Sequence, residues 1–303
     1  MIRSFQALLP HGITLSCRTA VAPTAPAPKV LLLHGFPEAA FAWDAVQLQL
    51  QMPLAEGLHP VAAVAPNLRG YADSSSPAEV AAYRPKHLVA DVVALIEQLG
   101  APLDLLVAHD WGGALAWNLA AARPDLLKRL LIINSPHPAA FVRELRGSPA
   151  QQAASAYMNF FCRPDAAALL AEHDFKRLWP FFGAQPHWLD TTQRDAYRAV
   201  WGPGGTGLEG PLNYYRASPL RPSVSADDPI HTLQMPDESV TVRVPTTVLW
   251  GERDHALLPG LLEGLERWVP DLQVHRVPDG SHWLVHEQPE RIVQTIRRLT
   301  QRI

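Results

Sequence analysis

Three positions carry groups suited to covalent catalysis, namely Asp110, Asp254 and His282. Asp110 follows the apolar run Leu105-Leu106-Val107-Ala108-His109 and precedes Trp111-Gly112-Gly113. A strand that stops at a small-x-Asp-x-small turn and continues as a helix presents its Asp on a sharp bend, where small neighbours let backbone pass close to backbone. A carboxylate attacking an acyl carbon would give an anhydride, whereas attack on saturated carbon gives an ester that water can cleave. The turn therefore points to displacement at sp3 carbon, such as epoxide opening or carbon–halogen cleavage. It points away from peptidase or lipase chemistry.

An Asp after a strand is weak alone, because Asp also caps helices. Its company strengthens it. Trp250-Gly251-Glu252-Arg253-Asp254 sets a second carboxylate just past a later strand. Asp279-Gly280-Ser281-His282-Trp283 sets an imidazole past the last strand, before the final helix. Nucleophile, acid and His in that chain order is the order of α/β-hydrolases. Strand C-termini share one edge of a parallel sheet, so the three side chains can converge. In this scheme Asp110 attacks carbon. His282, near its reference pKa of about 6.5, takes a proton from water in a second step. Asp254 fixes the imidazole tautomer and stabilises the imidazolium.

His34-Gly35-Phe36-Pro37 supplies a complementary loop. It can aim the Phe36 N–H at the pocket, while the Trp111 N–H comes from the helix start after Asp110. Together they form an oxyanion hole for the tetrahedral intermediate of ester hydrolysis. His34, Pro37 and Trp111 are also expected to contact substrate, and Phe36–Pro37 is a candidate cis peptide. His109 reads as a packing residue. His282 and His286 stand i,i+4 with Glu287 adjacent, yet the order is not H-E-x-x-H and no third ligand is apparent. No metal or cofactor is expected.

The elements that must position these groups alternate. Residues 1–20 read as two short strands joined by a turn. Val30–Leu33, Val61–Ala65, Leu103–Val107 and Leu130–Asn134 read as strands, and Ala39–Leu50, Lys86–Leu99 and Gly112–Ala122 as helices. From about His137 to Val240 no clean strand occurs, only helix-like pieces rich in aromatics. Strands resume at Thr246–Trp250 and Leu272–Val277, with helices expected around Leu257–Trp268 and at Pro289–Leu299. The fold class is α/β, a mostly parallel sheet with flanking helices and an inserted helical cap. The core comprises residues 1–137 and 243–303, and the cap residues 138–242. Ala-Pro-rich Val21–Pro28 is expected to be a surface loop, and Gly202–Gly210 a loop inside the cap.

Bulk properties bound the rest. The chain has 303 residues, of which 48% are hydrophobic and 18% charged, enough for one large α/β domain plus an insertion. A net charge of −3 argues against a nucleic-acid partner. The two cysteines, Cys17 and Cys162, make no disulfide or metal framework. Neither a signal peptide nor a membrane span is evident, so a cytoplasmic protein is expected. Oligomeric state is left open.

The pattern His34-Gly35-Phe36-Pro37-Glu38, His109-Asp110-Trp111-Gly112-Gly113, Asp254 and Gly280-Ser281-His282-Trp283 resembles the α/β-hydrolase-fold epoxide hydrolases over about residues 3–300. The resemblance implies that a small-molecule epoxide and water react by way of an ester on Asp110, giving a 1,2-diol. It also implies two cap tyrosines that hydrogen-bond and protonate the epoxide oxygen. Tyr215 matches one, in Gly210-Pro211-Leu212-Asn213-Tyr214-Tyr215-Arg216. Tyr157 matches the other more loosely, in Tyr157-Met158-Asn159-Phe160-Phe161-Cys162-Arg163-Pro164. A phenol with a pKa near about 10 suits that task because it stays protonated at neutral pH. Tyr214 and Tyr197 read as packing residues. The nearest rival is a haloalkane or haloacid dehalogenase with the same Asp, His and acid. Haloalkane dehalogenases typically carry an Asn where this chain has Phe36, and the fluoroacetate type carries arginines close after the nucleophile, where this chain reads Trp111-Gly112-Gly113-Ala114-Leu115.

Overall fold

A computed structural model describes residues 1–20, 29–52, 60–184, 186–202 and 207–301. The expected Val21–Pro28 loop lies outside the described residues, as does the middle of the Gly202–Gly210 stretch. Eight strands form one sheet: β1 (Ile2–Leu8), β2 (Thr14–Ala20), β3 (Lys29–Leu33), β4 (Ala62–Pro66), β5 (Leu105–His109), β6 (Leu130–Ile133), β7 (Thr246–Gly251) and β8 (Leu272–Val277). Their order is β1-β2-β4-β3-β5-β6-β7-β8. The β1–β2 hairpin and the β2–β4 pair are antiparallel, and every other pair is parallel.

The central strands are short continuous apolar runs because both sheet faces are covered. All residues of β5, β6 and β7 are buried, whereas the edge strands β1 and β8 carry exposed positions. Alternate side chains feed two separate cores: Leu31, Leu33, Leu106 and Ala108 enter one, and Val30, Leu32, Leu105 and Val107 the other. Helices α1 (Asp44–Gln51), α2 (Pro85–Leu99) and α3 (Asp110–Ala122) connect the first strands. Between β6 and β7 the described residues form helices and turns but no strand. These helices are α4 (Pro138–Gly147), α5 (Pro149–Ala154), α6 (Tyr157–Phe161), α7 (Ala166–Phe175), α8 (Thr191–Trp201), α9 (Glu209–Ala217) and α10 (Asp237–Val240). The chain ends with α11 (Leu284–Glu287) and α12 (Pro289–Thr300).

Local departures from the sequence reading have physical causes. Leu257–Trp268 is not one helix but two short 3-10 turns, Pro259–Leu262 and Leu265–Arg267. Pro259 stops any continuation backwards, and Gly264 divides the turns at φ +66°. The helix expected from Ala39 begins as a 3-10 turn at Ala40–Trp43 and becomes α-helical at Asp44. β5 starts at Leu105 rather than Leu103 and runs on to His109, which pairs with Ile133 of β6. That extension sets Asp110 directly at the strand's end.

Candidate active site

Asp110 is the first residue of α3 and has a φ of +48°, the left-handed region that a non-glycine residue adopts only when its surroundings hold it there. They do so on three sides. The Ser135 hydroxyl donates to the Asp110 carbonyl at 2.7 Å, and the Gly112 N–H donates to the His34 carbonyl at 3.0 Å. A Cβ on Gly113 would lie 2.3 Å from Ser135 Cβ, and one on Gly35 would lie 2.3 Å from Asp110 Cβ. The small residues of the turn are thus required by close approach. The carboxylate also sits at a helix N-terminus, where the dipole favours negative charge.

His282 and Asp254 converge on Asp110. His282 Nδ1 lies 2.7 Å from Asp254 Oδ2, and its Nε2 lies 3.8 Å from Asp110 Oδ2. Asp254 is only 3% exposed. Its other oxygen accepts from the Ala256 and Leu257 N–H groups at 2.8 and 2.9 Å. Asn134, not singled out in the sequence, donates to Asp254 Oδ2 at 2.8 Å and accepts from the Gly251 N–H at 2.9 Å. It leaves β6 at φ +38°, the kind of position that Asn tolerates. Burial alone would raise the Asp254 pKa, but His282, the Leu257 N–H and Asn134 hold it below the usual carboxylate value.

His282 does not keep its reference pKa. Burial disfavours the imidazolium, yet Asp254, Asp110 and Glu38 outweigh it and push the pKa up to about 9. At neutral pH the resting imidazole is therefore charged beside Asp110. The cluster of three carboxylates thus moves His282 away from the reference pKa of about 6.5 expected from the sequence.

The Phe36 N–H donates to Asp110 Oδ1 at 2.7 Å, and the Phe36–Pro37 peptide is cis. Trp111, the second residue of α3, has no partner for its N–H within the helix. His34 and Pro37, expected to contact substrate, do not line the cavities at Asp110. His34 is fully buried, with Nδ1 on the Gly35 carbonyl at 2.9 Å and Nε2 accepting from the Leu68 N–H at 3.0 Å. Both ring nitrogens are occupied by backbone, and burial depresses its pKa to about 4. The Pro37 carbonyl accepts from the Trp201 indole at 2.7 Å. These two residues shape the loop instead.

Two cavities meet at Asp110. The wider, about 430 Å³, is lined by Phe36, Pro180, Phe181, Phe182, Ser281, His282 and their neighbours. The narrower, about 90 Å³, is more apolar and includes Trp111, Leu115, Phe141, Met158 and Leu257. Among the described residues only Asp110, Tyr157 and Tyr215 line both. Tyr157 opens α6 and Tyr215 lies in α9, with ring centroids 6.2 Å apart. Burial first, joined by the Asp110 charge for Tyr157 and by Tyr157 and then Asp110 for Tyr215, raises both phenol pKa values, so both stay protonated. Tyr214 points elsewhere and donates to the Arg69 carbonyl at 2.9 Å.

A buried carboxylate behind the site escaped the sequence reading. Glu38 is fully buried and receives His109 Nδ1 at 3.1 Å, the Tyr197 hydroxyl at 3.1 Å, and His286 Nε2. Burial would raise its pKa, but His286 and His109 hold it well below the usual carboxylate range. His109 turns its Nε2 to the His282 carbonyl, so it is more than packing. His282 and His286 diverge to different carboxylates and do not share a ligand position. Among the described residues no group of three or more His, Cys, Asp or Glu could hold a metal ion. No described helix is long and apolar enough to cross a membrane.

Comparison with known proteins adds an independent line. A family described as alpha/beta hydrolase fold matches residues 28–289. The chain is 34% identical to the AB hydrolase superfamily protein YfhM of Bacillus subtilis, covering 94% of both chains. It is 32% identical to epoxide hydrolase 4 of Mus musculus, over 87% of this chain and 70% of the mouse protein. The fold superposes on an inhibitor complex of the Bacillus megaterium epoxide hydrolase with a TM-score of 0.84 and 28% identity, covering 98% and 100% of the two chains. It also superposes on one of the epoxide hydrolases found in metagenomes from hot environments, with a TM-score of 0.85, 34% identity, and 99% and 98% coverage.

Proposed function

Because this chain belongs to the α/β-hydrolase-fold epoxide hydrolases, we propose that it converts an apolar epoxide to a 1,2-diol through a covalent ester on Asp110. The observation that carries the reading is the junction of two cavities at Asp110, Tyr157 and Tyr215. An epoxide at that junction has a carbon against the carboxylate and its oxygen against two protonated phenols, with room for a substituent on either side. A halide leaving group has no need of two phenols, and Phe36 offers it no side-chain donor.

Protons balance through both steps. Asp110 forms a bond to the epoxide carbon as the ring C–O bond breaks, and the developing alkoxide takes a proton from a tyrosine. Esterification removes the Asp110 charge, one of the three that keep His282 protonated. The proton His282 releases makes good the one the phenol gave up, leaving a neutral imidazole. That imidazole takes a proton from water as the water adds to the ester carbonyl carbon, and the Phe36 and Trp111 N–H groups receive the oxyanion. Collapse expels the diol oxygen, which takes the proton back from His282. The new Asp110 carboxylic acid returns its proton to His282 and restores the resting pair.

The test is a substrate panel of styrene oxide, a terminal alkyl epoxide and a 1-haloalkane, read by diol and halide release. Diol from the epoxides without halide from the haloalkane is expected, whereas halide release alone overturns the reading. In parallel, His282→Gln should retain a substrate-sized mass increment on the peptide carrying Asp110. An active enzyme with no such adduct in this variant would overturn the covalent mechanism.

A further inference from the structure

His282 lies on the connection between β8 and α11, so neither a strand nor a helix fixes its backbone. Asp254 orients the ring, but something else must hold the peptide units on either side of it. On the N-terminal side, both oxygens of Glu287 are bound to Ser281: Oε2 accepts from the Ser281 N–H at 2.8 Å and Oε1 from its hydroxyl at 2.6 Å. The same hydroxyl oxygen accepts from the Trp283 N–H at 3.1 Å. A two-point contact to a carboxylate is short and directional, which makes it a stiff restraint. Among the described residues no Lys, Arg or His forms an ion pair with Glu287. Its carboxylate serves the backbone next to His282.

Glu287 is itself anchored. It is the last residue of α11, its N–H donates to the Trp283 carbonyl at 3.0 Å, and the preceding residue, His286, reaches the buried Glu38. Two consecutive side chains thus tie one short helix to the core and to the catalytic connection. Ser281 and Glu287 also line the wide cavity together with His282.

Building on the covalent reading above, we propose that Glu287, acting through Ser281, is a positioning residue for the hydrolytic half-reaction. It holds His282 at the location from which the imidazole can activate water against the Asp110 ester. Ring opening depends on Asp110 and the tyrosines, which sit on other elements, and does not need this restraint. Loosening it should therefore slow ester breakdown selectively. Partners that orient metal ligands typically alter activity by about 10–100-fold, and a partner that orients a catalytic base is expected to act on the same scale.

The experiment compares wild type, Glu287→Gln and Ser281→Ala in single-turnover reactions with styrene oxide, following the Asp110 adduct by quenched-flow mass spectrometry. Expected is adduct formation within about two-fold of wild type and breakdown slowed about 10–100-fold. In steady state kcat and KM then fall together while kcat/KM holds. Breakdown unchanged in both variants overturns the proposal. So does an equal loss in both half-reactions, which marks a general structural role. If the wild-type protein and His282→Gln form no adduct at all, the covalent reading itself has failed, a result distinct from either.

Discussion

His109 Nε2 donates to the carbonyl oxygen of His282 at 2.8 Å, although 173 positions separate the two in sequence. The residue before Asp110 therefore touches the backbone at His282 directly. Its other nitrogen rests on Glu38, so a buried carboxylate stands behind both halves of the site.

Removing that carboxylate should be costly. Glu38→Ala leaves the polar groups of His109, His286 and Tyr197 buried without their shared acceptor, and breaking a buried charged cluster in this way typically costs about 3–5 kcal/mol. A fall of that size is expected in the unfolding free energy from urea titration. An unfolding midpoint equal to wild type would refute the role assigned to the cluster.

The two phenols are expected to act as a pair. Single Tyr157→Phe and Tyr215→Phe variants should each lose activity by about 10–1,000-fold, and the double variant should show almost no ring opening, because general acid assistance of this kind contributes about 10²–10⁴-fold. Far-UV circular dichroism and thermal unfolding check that the fold persists. Full activity in the double variant would remove the epoxide assignment while leaving the three-residue Asp–His–Asp arrangement untouched.

The raised pKa of His282 has a definite sign. On the proposed mechanism the base form of His282 is required for ester breakdown, so that step should accelerate with pH until the imidazole is fully neutral. In the free protein the pKa is about 9 with Asp110 charged. In the ester Asp110 carries no charge, so the midpoint for breakdown must lie below that value. Single-turnover rates between about pH 6 and pH 10 measure it. A breakdown rate that declines with rising pH contradicts the assignment of His282 as base. Ring opening should show no loss from phenol ionisation over most of that range, because both tyrosine pKa values are raised.

Gly35 gives the most local test of the geometry. A methyl group there would lie 2.3 Å from Asp110 Cβ and 2.4 Å from Oδ1. Gly35→Ala should displace the carboxylate by a substantial part of an ångström, and misplacement on that scale costs about 100-fold in rate. Adduct formation with wild-type kinetics would mean that Asp110 is not the attacking group.

Much of this was legible in the chain because apolar runs, glycines and turn residues act locally. The strands leading to Asp110 and Asp254, the glycines around the bend, and the final strand before His282 follow from patterns a few residues long. Glu38 was not, because its three partners come from β5, α8 and α11, and only the folded sheet brings them together. Asn134 was hidden for the same reason, since its value lies in a turn conformation and a partner 120 positions away. His34 misled in the opposite direction. Its neighbours fix the loop that carries the Phe36 N–H, but its own ring is consumed by backbone contacts. The pKa of His282 depends on three carboxylates whose proximity no spacing rule conveys.

The unequal cavities also bear on chirality. On the proposed mechanism Asp110, Tyr157 and Tyr215 would hold the three-membered ring at the junction of the cavities, with its two arms directed into spaces of about 430 and 90 Å³. A mirror-image epoxide held by the same three groups must exchange those arms or present its other carbon to the carboxylate. Each methylene that gains or loses a fitted pocket changes the barrier by about 1–3 kcal/mol. A racemic epoxide with one long and one short arm will therefore be consumed unevenly, the handedness of the diol being set by volume.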